Sequence, residues 1–382
     1  MTFKLTVDRS SFDKNLRTVI SDYENAGSKV VPVIKGNGYG FGRRNLAFEV
    51  SKTNLPRIAI GSVFELDQAL SDFGGEIVVL EPFNPNDNST IPLWEHATKN
   101  NAHRLIAIIA GPYFAQASRA GIKRAYLEGK TSMHRFGILP KDMLSLVKGD
   151  RHNVEVVGLS LHSPIAQPQN VQIPQLETSA KINNRKTSNR VLEIVSWLNS
   201  FAPMAAELVS PINLSLSHVS AKDISQILEI AQERDLDIQI ESRIGTALWL
   251  GNQKALTASG TVLEIHELVG DHEHIGYRQI DAHGNARLLV VSGGTAHGVA
   301  LAAPTNRATL RAKGIALAEG FSQALGKVRS PFKLGKHNLA FAEPPHMHVS
   351  LLWCEDRNVK VGDQLECTVR NTTANFDEII WN

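Results

Sequence analysis

Through the first 250 positions, apolar residues gather in short, mostly β-branched runs, and stretches with helical spacing fill the gaps between them. The runs are VVPVIK (30–35), RIAIGSV (57–63), EIVVLEP (76–82) and RLIAIIA (104–110), followed by RAYLEG (124–129), VEVVGLSLH (154–162), INLSLSH (212–218) and DIQIESRIG (237–245). Runs of this length predict strands buried in a parallel sheet. NLAFEVSK, VFELDQALSDF, PKDMLSLVKG, NRVLEIVSWLNSF and SAKDISQILEIAQERD carry apolar residues at helical spacing, and SFDKNLRTVISDYENAG does so ahead of the first run. Eight strands alternating with helices fit a (β/α)8 barrel, typically about 250 residues long. A doubly wound open sheet is the alternative architecture.

The pattern changes after Gly251. TVLEIHELV, ARLLVVSGG, NLAFAEPPHMHVSLLWC and DQLECTVRN read as strands separated by turns rich in Gly, Asp, Asn and Pro, and only RATLRAKGIALAEGFSQAL reads as a helix. The expected organisation is a barrel domain over 1–251 and a mainly β domain over 252–382. Residues 165–188, rich in Pro, Gln and Asn, read as a long loop after the sixth strand.

Composition narrows the functional classes. The chain has 382 residues, 42% hydrophobic and 20% charged, which suits a folded two-domain protein. A formal net charge of +2 gives no reason to expect nucleic acid or an anionic membrane as partner. Two cysteines, Cys354 and Cys367, are too few for a disulfide framework and suggest a reducing compartment. The first residues, MTFKLTVDRSSF, lack the apolar core of a signal peptide, and no apolar stretch is long enough for a membrane span. A soluble cytoplasmic protein is expected.

Barrel enzymes place their chemistry at the C-terminal ends of the strands. Here those ends carry Lys35, Glu128, His162, His218 and Arg243, with Arg135 in the loop after the fifth strand. Lys35 runs into a turn containing Gly36, Gly38, Gly40 and Gly42, with Tyr39 among them. A lysine so placed can be a surface cation, a point charge for phosphate, or a nucleophile toward a carbonyl. Glycines let the backbone approach a ligand closely, and partial desolvation makes an amine more nucleophilic. The order of residues is not that of a Walker loop, because the lysine precedes the glycines.

VIKGNGYGFG resembles the pyridoxal-phosphate (PLP) lysine motif of the alanine racemases. TSMHRFGIL (131–139) is similar to that family's TGMxRxG segment, GLSLHS (158–163) to its xxTHF strand end, and SRIGTALWLG (242–251) to xRxGIxLYG. EHIGYRQID (273–281) and VSGGTAHG (291–298) resemble two motifs of its β domain. The resemblance implies a homodimeric, PLP-dependent amino-acid racemase, and no metal ligand is assigned. It implies that Lys35 bonds the cofactor, that His162 lies against the pyridine ring, and that Arg243 hydrogen-bonds its nitrogen. Tyr39, Ser220, Gly245 and Thr246 would hold the phosphate, with Ser220 alternatively a helix N-cap. Arg135 would contact the phenolic oxygen and the substrate carboxylate, and Tyr277 from the partner subunit would be the second acid/base.

Several positions depart from the family pattern. The lysine that is often carbamylated there falls at Glu128, whose carboxylate is expected to hold Arg135 in place. The tyrosine of GYADG gives way to Gly294 or Thr295, HVSLLW (348–353) lacks an acidic residue, and RVPR is replaced by RNTTANFD. These changes cluster on the substrate side and imply a wider entrance, suited to a side chain larger than methyl. A metal-dependent lyase resembling D-serine dehydratase or D-threonine aldolase is the alternative, with His346 and His348 expected on one strand face near Cys354 and HELVGDHEH (266–274) as further candidate ligands. A non-catalytic PLP carrier normally consists of the barrel alone, so the β domain argues against it.

Overall fold

The computed structural model describes residues 2–166, 187–203, 211–269, 274–277, 280–281, 286–301 and 328–382. The helix expected over 307–325, most of the loop 165–188 and parts of HELVGDHEH and YRQID lie outside the described residues. The chain falls into two compact units, one formed by Lys14–Gly36 and Arg43–Gly251, the other by Met1–Asp13, Asn37–Gly42 and Asn252–Asn382.

The five-residue strand β1 (Phe3–Val7) and helix α1 (Arg9–Asn25) come first in the chain. The eight apolar runs then form β2 (Ser28–Pro32), β3 (Arg57–Ile60), β4 (Glu76–Val79), β5 (Leu105–Ile109), β6 (Arg124–Gly129), β7 (Glu155–His162), β8 (Ile212–Ser217) and β9 (Ile238–Ile244). Helices α2 (Arg43–Ser51), α3 (Leu66–Asp72), α4 (Ile91–Asn101), α5 (Phe114–Arg119), α6 (Pro140–Lys148), α7 (Asn189–Phe201), α8 (Ala221–Gln232) and α9 (Thr246–Leu250) alternate with them. The strands are parallel, in the order β2-β9-β8-β7-β6-β5-β4-β3. A single bridge, Val33 to Ala59, brings the two end strands together into a nearly closed barrel.

Val31, Val33, Ala59, Val78, Ile106, Ile108 and Tyr126 pack as one cluster in this unit. Arg57, Glu76 and Arg124, each the first residue of its strand, pair with one another, and Arg57 and the Tyr126 hydroxyl both reach Glu241. Buried charge is tolerated only when compensated in this way. These ion pairs lie at the N-terminal end of the barrel strands, opposite the rim described below.

The other unit is built on β1, β10 (Leu256–Leu268), β11 (His274–Ile275), β12 (Ile280–Asp281), β13 (Ala286–Ser292), β14 (Arg329–Leu334), β15 (His337–Phe341), β16 (Val349–Trp353), β17 (Gln364–Cys367) and β18 (Glu378–Trp381). Eight of these strands form one sheet, antiparallel except for the β1–β18 pair. Phe3, Val262, Leu289, Val291, Phe332 and Leu352 lie in its core. The first residues, expected within the barrel domain, instead pair with β10 and β18, and Phe3, Leu5 and Val7 point inward by strict alternation. NLAFAEPPHMHVSLLWC is not continuous strand, because two prolines that cannot donate to a ladder interrupt it between β15 and β16. No helix among the described residues is long and apolar enough to cross a membrane.

Candidate active site

Parallel register aligns the rim. Glu128 lies opposite Ser160, His162 opposite Ser217, and Ser217 opposite Arg243, so polar residues of four successive strands share one end of the barrel. Arg243 is buried, at 6% exposure. Its Nη1 donates to Ser160 Oγ at 2.8 Å and its Nη2 to the Leu161 carbonyl at 2.9 Å, while the Ser160 hydroxyl donates to Glu128. Nε finds no hydrogen-bond partner among the described residues. An unpaired buried donor is costly, so this rim is short of one acceptor atom.

Burial pulls the Arg243 pKa down, and the Glu128 charge opposes it. Burial likewise pushes Glu128 up, against the Arg243 charge and the Ser160 hydrogen bond. The guanidinium stays a cation throughout. Glu128 was expected to hold Arg135, but the register turns its carboxylate toward Ser160, and Arg135 acts on it only as a nearby charge. Arg135 is exposed, its guanidinium 5.2 Å from the Phe136 ring centroid. The loop that carries it is fixed at its base by Ile138 N–H on Glu128 O and by the Thr131 hydroxyl on His162 O.

His162 Nδ1 is 2.8 Å from Ser217 Oγ, and its ring meets that of His218 edge-on, with centroids 5.0 Å apart. Burial, then the charges of Arg243 and Arg135, pushes the His162 pKa down to about 2. Burial also lowers that of His218, whose Nδ1 lies 2.7 Å from the Ser163 carbonyl. The fold favours the neutral form of both imidazoles, whereas the unfolded chain protonates them at about pH 6.5. The unfolded state therefore binds more protons below that pH, and stability falls as pH drops. For His162 the expected slope is on the order of 1 kcal/mol per pH unit, reduced by its partial exposure. Urea midpoints at about pH 7.5 and about pH 5.5 check this, and His162→Asn should flatten the difference. Equal slopes in both proteins would show that His162 is protonated in the folded chain as well.

Lys35 follows β2, with Glu65 fixed beside it. The Glu65 carboxylate accepts from Gly36 N at 2.9 Å and from Gly61 N at 2.7 Å, and Arg43 Nη1 donates to Gly36 O at 2.6 Å. Although the Lys35 side chain reaches solvent, local burial lowers its pKa, Arg135 and Arg243 lower it further, and Glu65 opposes them. The amine is thus biased toward its nucleophilic form.

Ser220 is the N-cap of α8. Its Oγ accepts from Asp223 N at 3.2 Å, and Asp223 Oδ2 accepts from Ser220 N at 3.0 Å. That is the capping alternative the sequence left open, and it holds the start of α8 at the rim. Gly245 and Thr246 open α9, directly after the strand that carries Arg243.

The remaining sequence-named residues belong to the β unit. Tyr39 sits at φ 55 in a turn that the Asn37 amide ties to Asn371 O and Ala374 O. Burial raises its pKa to about 12, so its hydroxyl remains a proton donor. Tyr277 is 85% exposed, with its ring centroid 4.3 Å from that of His346. His346 and His348, expected on one strand face, lie in the turn before β16. His346 meets Glu343 and Tyr277, and His348 faces His297 at 5.6 Å. Among the described residues no group of three or more His, Cys, Asp or Glu is placed to hold a metal.

Ser160, Ser217 and Glu65 were not foreseen. Ser160 stood inside GLSLHS and Ser217 inside INLSLSH, but only strand register reveals their partners.

The family model described as "Alanine racemase, N-terminal domain" matches residues 7–216, more than half of the chain. The chain belongs to the alanine racemase family. An alanine racemase of Lawsonia intracellularis is 28% identical over 176 residues, which is 44% of this chain and 44% of that protein, so the match spans less than half of the relative's length. The alanine racemase of a D-cycloserine-producing Streptomyces lavendulae shares the fold at 16% identity and TM-score 0.62, covering 100% of this chain and 97% of the other. The alanine racemase of Bartonella henselae, solved with covalently bound pyridoxal phosphate, covers 100% of both chains at 15% identity and TM-score 0.61. At these identities the solved structures establish the two-domain architecture of the racemase family and no more.

Proposed function

We propose that this chain is a PLP-dependent amino-acid racemase, working as a homodimer in the cytoplasm. The observation that carries this reading is the buried Arg243 Nε left without an acceptor, on the same rim as a neutral His162 and an amine of depressed pKa at Lys35. A pyridine nitrogen would supply the acceptor that Arg243 Nε lacks, a neutral His162 imidazole would suit a place against an aromatic ring, and a nucleophilic Lys35 would suit the aldehyde. The residues present therefore fit the cofactor. When bound, PLP supplies an electron sink that acidifies the Cα–H of the amino acid joined to it.

The chain's own residues do the rest. Arg243, held by Ser160 and the Leu161 carbonyl, offers a donor and keeps its proton, which limits how much charge the ring withdraws. Gly245 and Thr246, at the start of α9, and the protonated Tyr39 hydroxyl serve the phosphate, while Ser220, engaged with Asp223, holds the start of α8. Arg135 takes the substrate carboxylate. Lys35 Nζ moves the proton on one face of Cα, and Tyr277 Oη of a second subunit moves it on the other. One proton leaves and one returns, so the reaction is an isomerisation without net charge.

The substrate is proposed to carry a side chain larger than methyl, because Gly294 or Thr295 stands where the family pattern has a tyrosine. A panel of L-amino acids, assayed for the D-enantiomer by chiral chromatography, tests both claims. Conversion of one or more long-chain amino acids faster than alanine is expected. Release of pyruvate, glycine or an aldehyde in place of the enantiomer would identify a lyase.

A further inference from the structure

We infer that Glu343 and His346 form a clamp that holds the Tyr277 ring in place for proton transfer. The inference rests on the reading of Tyr277 as an acid/base and adds the residues that position it. Tyr277 stands on a turn with 85% of its surface exposed, and a phenol in that setting ordinarily samples several rotamers. A reacting oxygen cannot afford this, since a misplacement of about 1 Å costs on the order of 100-fold in rate.

The β unit supplies the restraint from one carboxylate. Glu343 is only 4% exposed. Its Oε1 accepts from Tyr277 N at 3.3 Å and is hydrogen-bonded by His346 Nε2. Gly276, at φ +69, lets the turn lie directly on this carboxylate, because a Cβ there would come within 2.1 Å of it. The tyrosine backbone and the imidazole are thus tied to the same group. The imidazole in turn lies against the phenol at 4.3 Å between centroids and 35° between planes.

His346 is itself anchored from behind. Thr295 N donates to His346 O at 2.9 Å and Ala296 N to Met347 O at 3.0 Å. Gly294 allows that approach, since a Cβ at this position would stand 2.2 Å from His346 O. The VSGGTAHG stretch therefore acts here as the support beneath His346. Glu343 and His346 act through Tyr277 and are positioning residues.

The test combines a spectrum with a rate. In protein carrying 3-fluorotyrosine, the 19F signal of Tyr277, assigned with Tyr277→Phe among five tyrosines, should be displaced from that of free tyrosine. His346→Ala should collapse it to the free position, and His346→Phe, which keeps a ring, should retain part of the displacement. In steady-state assays His346→Ala should lower kcat roughly 10- to 100-fold with little change in KM. The primary isotope effect of Cα-deuterated substrate should rise in one direction of racemisation only, the one in which Tyr277 takes the proton. A Tyr277 signal at the free position in the wild type, or one unmoved by His346→Ala, overturns the clamp even if Tyr277→Phe is inactive. Full activity of Tyr277→Phe in both directions overturns the acid/base reading itself, whatever the spectrum shows.

Discussion

Lys35→Ala is expected to abolish racemisation, by roughly 10⁴-fold or more, together with the visible absorbance of lysine-bound PLP. The backbone just after Lys35 is pinned by Glu65 on Gly36 N and by Arg43 on Gly36 O. Two arginine charges and local burial favour its neutral form, and Glu65 moderates the shift. A rival exists on the same rim. Lys130 directly follows β6, but its N–H is committed to Ile138 O in the loop that carries Arg135, and its side chain is exposed. Borohydride reduction of the holoenzyme followed by peptide mapping separates the two, and PLP found on Lys130 or any other lysine would remove Lys35 from the mechanism. Because the change is at a solvent-reaching position outside a strand, the variant should fold, and unchanged far-UV circular dichroism would confirm that the loss is chemical.

The barrel was legible because its strands are self-contained signals. Runs such as RLIAIIA are buried on both faces, and parallel pairing joins each to neighbours with a helix between, so sequence order almost dictates spatial order. Strand β1 was not legible for the opposite reason. FKLTV alternates cleanly, but its partners lie at 256–260 and 378–381, and no local feature names a partner so distant. The same limit governed the site. Lys35, His162 and Arg243 could be placed at strand ends from the sequence, whereas the Glu128–Ser160–Arg243 chain depends on register across β6, β7 and β9. Sequence proximity points Glu128 to Arg135, whereas its hydrogen bond goes to Ser160, a neighbour in the sheet. HMHVS alternates like a strand, but Pro344 and Pro345 just before it break the ladder, and the rings of His346 and His348 meet different partners. Tyr277 had no periodic signal at all. Only the resemblance of EHIGYRQID to a family motif singled it out.

That makes Tyr277 the residue on which the shared-site reading stands or falls. Racemisation needs a proton taken from one face of Cα and one delivered to the other, and a single tethered lysine serves one face well. Tyr277 presents its ring at 85% exposure from the β unit, as a group destined for another molecule's site should. If the two bases come from different subunits, Lys35→Ala and Tyr277→Phe homodimers should each be nearly inactive. In a mixed dimer, one site then carries both substitutions and the other carries neither. Random reassociation of equal amounts gives half heterodimers, each with one intact site of two, so roughly a quarter of wild-type activity should return. The measurement is turnover after co-expression with two affinity tags and isolation of doubly tagged dimers, which raises the expected recovery to about half. No recovery in verified heterodimers would place both bases in one chain. Activity from the Tyr277→Phe homodimer alone would instead mean that another group, or water, delivers the second proton.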